Sequence, residues 1–182
     1  MAKHMAYLAA HDHLTGLVNR VEFESRLQRA IDSAKFNNRQ HALCFIDLDR
    51  FKLVNDSSGH SAGDELLRQI ALQLGTIRRE SDTFGRLGGD EFGLLLEDCD
   101  LSIAVEFAER MRKTIDGFQF KWDGRVFDVG ASVGVVAITA ISGELKDVMH
   151  VVDTACYAAK AQGRNQVRIS REPLKFDQGI QR

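Results

Sequence analysis

The apolar positions change period several times along the chain, and each change marks an element. Over residues 17–36, Val18, Val21, Phe23, Leu27, Ala30, Ile31 and Ala34 recur close to a helical stripe. The continuous apolar run at 41–47, HALCFID, reads instead as a central strand. Residues 49–56 fit a brief helical turn, followed by the loop SSGHSAGD. A long helix is predicted over 64–79, with Leu66, Leu67, Ile70, Ala71, Leu74 and Ile77 on one face. Apolar runs at 83–87 and 92–96 flank two adjacent glycines and predict a hairpin, because primed turns need positive φ. Another amphipathic helix covers 101–115. The valine-rich stretch 125–138 reads as one buried strand, preceded by a short paired strand at 118–122. A last helix at 146–161 and an edge strand at 166–169 complete the pattern.

Helix and strand alternate, but the hairpin requires antiparallel pairing in the middle of the sheet. The pattern therefore predicts an α+β sandwich: a mixed sheet flanked by helices around a ferredoxin-like βαββαβ core. One proline and no repeats leave nothing to split the 182 residues, a length that suits a single domain. The composition, 44% hydrophobic and 27% charged, is that of a globular protein. A net charge of −2 offers no bulk attraction for a phosphate backbone, so no nucleic-acid partner is expected. Cys44, Cys99 and Cys156 are odd in number, far apart and set in apolar segments, which reads as reduced core thiols. No apolar run approaches the roughly 20 residues of a membrane span, so no direct membrane contact is expected of this segment. A cytoplasmic location is expected, although a parent protein could be membrane-anchored. Residues 1–11, MAKHMAYLAAH, lack the pattern of a signal peptide and read as an appended remnant or linker helix. The domain is expected over 12–170, with 171–182 a tail or the start of a linker to another domain.

Candidate chemistry lies at the ends of the predicted strands. Between the hairpin runs, FGRLGGDEFGLLLED carries Asp90 and Glu91 beside the glycine pair. Alone, such a segment is equally an ordinary turn with solvated acids. CFIDLDRFKLVND ends its strand on Asp47 and Asp49, which either cap a loop or gather charge. If Asp47 meets the Asp90–Glu91 turn on a neighbouring strand, the carboxylates repel unless a divalent cation lies between them. Mg²⁺ fits, since it takes hard oxygen ligands and is completed by substrate phosphates; the Leu48 carbonyl would add another oxygen. NDSSGHSAGD places Asn55, His60 and Asp64 on one loop, where Asn and Asp can together read guanine or simply serve turn chemistry. In YAAKAQGRNQV, Lys160 and Arg164 stand four apart at a helix C-terminus. They either complement the helix dipole or grip phosphates, with Lys52 as a third cation. Neither GxxxxGK[ST] nor GxGxxG occurs.

DHLTGLVNRVEF, FIDLDRFKLVNDSSGHSAGDELL, RLGGDEF, ASVGV and DTACYAAKAQGRNQV follow in the order and spacing of the GGDEF-domain family, the diguanylate cyclases. The chain resembles that family over about residues 12–170. The resemblance implies a palm-like fold and condensation of two GTP to cyclic di-GMP with release of pyrophosphate, across a homodimer in which each protomer supplies half of the reaction centre. It also implies Mg²⁺, with Mn²⁺ as a substitute, two ions per half-site. Asp47, the Leu48 carbonyl and Asp90 would hold metal; Asp90, Lys52 and Glu91 would be the catalytic groups. Asn55, His60, Asp64, Lys160 and Arg164 would bind GTP. In RRESD, Arg79 and Asp82 form a plain i,i+3 pair by spacing, but RxxD ahead of the glycine pair is similar to the family's inhibitory product site. Fusion to sensory or phosphodiesterase domains is common in such a family. The alternative is a non-catalytic domain that binds GTP or cyclic di-GMP and regulates an attached module.

Overall fold

The structure, a computed structural model, describes residues 1–170; the expected tail at 171–182 lies outside the described residues. β1 (His41–Asp49) is buried on both faces, and its alternating side chains divide the domain into two cores. Ala42, Cys44, Ile46 and Leu48 belong to one core with α4 (His60–Gly75) and α5 (Leu101–Asp116). Leu43 and Phe45 belong to the other with α2 (Arg20–Asn37) and α6 (Leu145–Ala161). Asp47 and Asp49 continue that second face at the end of the strand.

The sheet runs β2-β3-β1-β6-β7, with β2 (Thr83–Gly88), β3 (Glu91–Leu96), β6 (Gly130–Ile138) and β7 (Gln166–Ile169). β1 pairs antiparallel with both β3 and β6, while β7 adds a parallel edge strand. The order β2-β3-β1-β6 is the predicted βαββαβ core. Cys44, Cys99 and Cys156 are free and buried, as expected of core thiols. No helix among the described residues is long and apolar enough to cross a membrane. α1 (Ala2–Ala10) buries none of its side chains and meets α2 through Asn19, whose Nδ2 donates to the Ala9 carbonyl at 2.8 Å.

Three expectations are corrected. The stretch 125–138 is not one strand: β5 (Arg125–Asp128) pairs only with β4 (Gln119–Trp122), in a separate two-stranded sheet. Asp123 and Gly124 both have positive φ (47° and 73°), which turns the chain sharply and lets this hairpin close on itself. The loop after the first carboxylates is mostly helical. α3 (Phe51–Ser58) and α4 meet at Gly59, whose φ of 87° redirects the chain in a single residue. The long helix therefore runs His60–Gly75 rather than 64–79, and Asp64 lies in its second turn rather than at its start. Asp49 does not cap α3; Arg50, at φ 67°, holds that position without a side-chain cap.

Candidate active site

The two-residue tip Gly89–Asp90 joins β2 to β3, with Gly88 opposite Glu91 and an irregularity between Arg86 and Gly88. Gly89 takes a left-handed φ of 49°, so the tip closes tightly. The tip is tied to the end of β1 by the Leu48 N–H, which donates to the Asp90 carbonyl at 3.2 Å. In register Asp47 stands opposite Glu91. Asp47 and Asp90 thus come together from two adjacent strand ends, as expected.

Burial pushes the Asp47 carboxyl up to about 6, with the Asp90 charge acting in the same direction against the Lys160 bond. Burial also raises Asp90, and it raises Glu91, to which Asp47 and Asp153 add their repulsion. Lys160 Nζ lies 2.7 Å from Asp47 Oδ2, while Asp47 Oδ1 is buried with no hydrogen-bond partner among the described residues. Burial opposes the charge on Lys160, but Asp47 and Asp90 outweigh it and raise that ammonium. α6 presents Lys160 here because the helix lies directly on β6. A Cβ at Gly134 would stand 2.5 Å from Cys156 N and Val152 O.

A crowded carboxylate pair with one unpartnered buried oxygen fits a hard divalent cation. Among the described residues no three His, Cys, Asp or Glu side chains converge as a metal cluster. The electrostatics give a pH prediction. An unfolded Asp47 ionises near 3.8 and the folded one near 6, so across that window the folded state retains a proton that the unfolded chain has lost. With chelator present, the melting temperature should fall as pH rises from about 4 to 6 and then level off. Mg²⁺, by favouring the ionised pair, should flatten the decline; parallel curves with and without Mg²⁺ would contradict the assignment.

A cleft of about 580 Å³ opens beside the pair, lined by Leu48, Lys52, Asp90, Lys160 and Arg164, among others. Three predicted cations and two predicted metal ligands thus share one cavity. Asn55, His60 and Asp64 do not line it; they cluster at the α3–α4 junction. There Asn55 Oδ1 is buried without a partner among the described residues and lies directly over Gly63, where a Cβ would collide with it.

Arg79 and Asp82 are more than a surface ion pair. The Asp82 side chain is fully buried and accepts the Arg79 backbone N–H at 2.9 Å and Nη2 at 2.8 Å. Arg79 Nη2 also donates to the Glu97 carbonyl at 3.0 Å. A second cleft, of about 540 Å³, borders Asp82 and carries Arg26 and Arg29.

Sequence reasoning missed Asp12 and Arg86. Arg86 Nη1 lies 3.2 Å from Asp12 Oδ1, and its Nε donates to the Gly89 carbonyl at 3.0 Å. The Thr15 hydroxyl and N–H also donate to Asp12. Together these bonds fasten the hairpin tip to the segment that precedes α2. The signal lay in the arginine two residues before the glycine pair, which a turn alone does not require.

The family model for the diguanylate cyclase GGDEF domain matches residues 9–166. The chain belongs to the diguanylate cyclase GGDEF-domain family. Probable diguanylate cyclase DgcE of Escherichia coli is 46% identical over 169 residues, covering 93% of this chain and 15% of DgcE. The bifunctional diguanylate cyclase/cyclic di-GMP phosphodiesterase MucR of Pseudomonas aeruginosa is 39% identical over 163 residues, covering 90% of this chain and 24% of MucR. This GGDEF domain thus spans a quarter or less of either relative. The crystal structure of the coiled coil and GGDEF domain of DgcB from Caulobacter crescentus, in complex with c-di-GMP, is 28% identical with a TM-score of 0.87. That match covers 93% of this chain and 90% of DgcB's.

Proposed function

We propose that this domain condenses two GTP molecules into cyclic di-GMP and two pyrophosphates. The observation that carries the reading is the Asp47–Asp90 pair at a cleft that also holds Lys52, Lys160 and Arg164. Asp47, Asp90 and the Leu48 carbonyl would hold Mg²⁺ or Mn²⁺, two ions per half-site. Bound there, the cation would supply charge to neutralise the triphosphate and lower the pKa of the attacking 3′-hydroxyl. Asp90 accepts the hydroxyl proton, and Lys52 stabilises charge on the phosphates. Lys160 and Arg164 grip the β- and γ-phosphates, Lys160 exchanging its bond to Asp47 for the phosphate. Glu91, opposite Asp47 in register, is the remaining acidic member of the catalytic group.

Asn55 and Asp64 take the guanine edge, with His60 beside them. The unpartnered Asn55 Oδ1 supplies an acceptor for a guanine N–H. One cleft accommodates one GTP, so a homodimer sets two half-sites face to face. Use of GTP and three unpaired thiols fit a cytoplasmic location. The short span against DgcE and MucR fits a parent protein with further sensory or phosphodiesterase domains. Incubation with GTP and Mg²⁺ should yield cyclic di-GMP and pyrophosphate. Binding without turnover, in a sample shown to be dimeric, would favour a receptor role instead.

Product inhibition rests on Arg79 and Asp82. Arg79 can donate to guanine O6 and N7, as arginine does in base readout. Because Asp82 is buried under Arg79, product must open this pair before Asp82 can accept a guanine N–H. Added cyclic di-GMP should lower turnover without raising KM for GTP, and Arg79→Ala should relieve the inhibition. Asp82→Ala should relieve it too, but with a lower melting temperature, since it strips a buried acceptor from the Arg79 N–H. Inhibition curves identical to wild type in both variants would remove this site.

A further inference from the structure

Asp49 lies two residues from Asp47 on the same face of β1, yet its surroundings differ. Its carboxylate is buried and doubly satisfied: Oδ1 accepts the Ser132 hydroxyl at 2.7 Å, and Oδ2 accepts the Asn165 backbone N–H at 2.9 Å. Asn165 follows Arg164 in the turn between α6 and β7. Both have left-handed φ, 63° and 46°, a conformation that residues with a Cβ seldom adopt in succession. Such a turn persists only if its surroundings fix it. Here α5 fixes it from one side: Arg112 donates to Asn165 Oδ1, and Asn165 Nδ2 donates to Asp116, each at 3.0 Å. From the sheet side the fixing contact is Asp49. Gly130 makes room for it, since a Cβ there would stand 3.2 Å from Asp49 Oδ2.

Asp49, Gly130, Arg164 and Asn165 all border the cleft that holds Lys52 and Lys160. A carboxylate beside a triphosphate site repels the ligand, so any favourable contribution must pass through the turn. We propose that Asp49 is a positioning residue for the triphosphate: through the Asn165 N–H it holds the left-handed turn that delivers Arg164 to the cleft. The inference rests on the reading of Arg164 as a phosphate grip. It separates the two aspartates of the strand end by role, Asp47 holding metal and Asp49 shaping the phosphate cradle.

The test compares binding of 3′-deoxy-GTP, which cannot cyclise, with binding of GMP, which lacks the phosphates that Arg164 would hold. Both are titrated calorimetrically into the full 182-residue chain with Mg²⁺. Asp49→Ala should weaken 3′-deoxy-GTP by about tenfold, the scale of a lost charge-assisted hydrogen bond, and leave GMP unchanged. Asp49→Asn should stay near wild type, because its amide can accept from Asn165 and donate to the Ser132 oxygen. Arg164→Ala should match Asp49→Ala, and the double variant should lose no more than either alone. Equal losses for GMP and 3′-deoxy-GTP, or additive losses in the double variant, would overturn the proposal. Should Asp49→Ala not fold, Gly130→Ala places a methyl 3.2 Å from the same carboxylate and should weaken 3′-deoxy-GTP selectively; unchanged affinity would count against the role. An Arg164→Ala variant with wild-type affinity would instead remove the phosphate-grip reading, and the proposal with it.

Discussion

Asp90→Asn should abolish turnover and yet leave a protein that is more stable than wild type without metal. Burial raises both Asp47 and Asp90, the Asp90 charge adds to the rise on Asp47 and the Glu91 charge to that on Asp90, so the metal-free site stores repulsion at neutral pH. A neutral amide at the hairpin tip removes that repulsion, while the Lys160–Asp47 bond remains to satisfy Asp47. In a domain of this size each kcal/mol so relieved raises the melting temperature by about 2–4 °C. The same change deletes a metal ligand and the proton acceptor, so kcat should fall by at least about a hundredfold. The opposite signs are the diagnostic feature. Loss of activity together with loss of metal-free stability would mean that Asp90 holds the hairpin together rather than the metal. Thermal melts in chelator and initial rates with GTP and Mg²⁺ decide between the two.

GTP should be preferred over ATP by about 10⁴-fold in kcat/KM, because the site must pair buried polar groups that adenine leaves unpaired. The α3–α4 junction offers Asn55 and Asp64 for this, and the structure adds a third position that neither supplies an atom to the base nor lines the cleft. Gly63 lies beneath the Asn55 side chain, and any Cβ there collides with Asn55 Oδ1. Gly63→Ala should therefore displace Asn55 and reproduce the loss of Asn55→Ala, although alanine favours the helix more than glycine does. Each of Asn55→Ala, Asp64→Ala and Gly63→Ala should lower kcat/KM for GTP by about a hundredfold and so cut the preference over ATP from about 10⁴-fold to about 10²-fold. Competition assays with the two nucleotides check this. A preference unchanged from wild type in all three variants would return the junction to ordinary turn and helix chemistry.

How far the sequence speaks depends on whether a residue's neighbours are local. β1 and the β2–β3 hairpin were legible because a short apolar run and a glycine pair are local signals, whereas the register that joins Asp47 to the Asp90 tip pairs strands more than 40 residues apart and local pattern leaves it open. The break at Val129 was not, since a valine-rich run looks continuous whether or not the chain leaves the sheet there. Gly and Ser around residues 57–63 read as a loop that delays the helix to Asp64, yet one positive φ at Gly59 suffices to turn the chain between two helices. Asp49 was indistinguishable from a cap. Its partners are 83 and 116 residues away, and no local pattern announces them. The pair at Arg79 and Asp82 was visible as spacing, but spacing says nothing of burial, which packing against the rest of the domain decides. Gly63 was hidden for the same reason: a glycine on a helix acquires meaning only from the side chain placed over it.

The most direct test is GTP turnover with Mg²⁺ across a dilution series, with cyclic di-GMP and pyrophosphate quantified and the oligomeric state measured in each sample. If each protomer brings one GTP to a shared reaction centre, pyrophosphate and cyclic di-GMP should appear in a ratio of about two to one, and specific activity should climb with protein concentration until dimers saturate. Specific activity that stays flat in samples that remain monomeric throughout, or GTP consumption without cyclic product, would contradict the account.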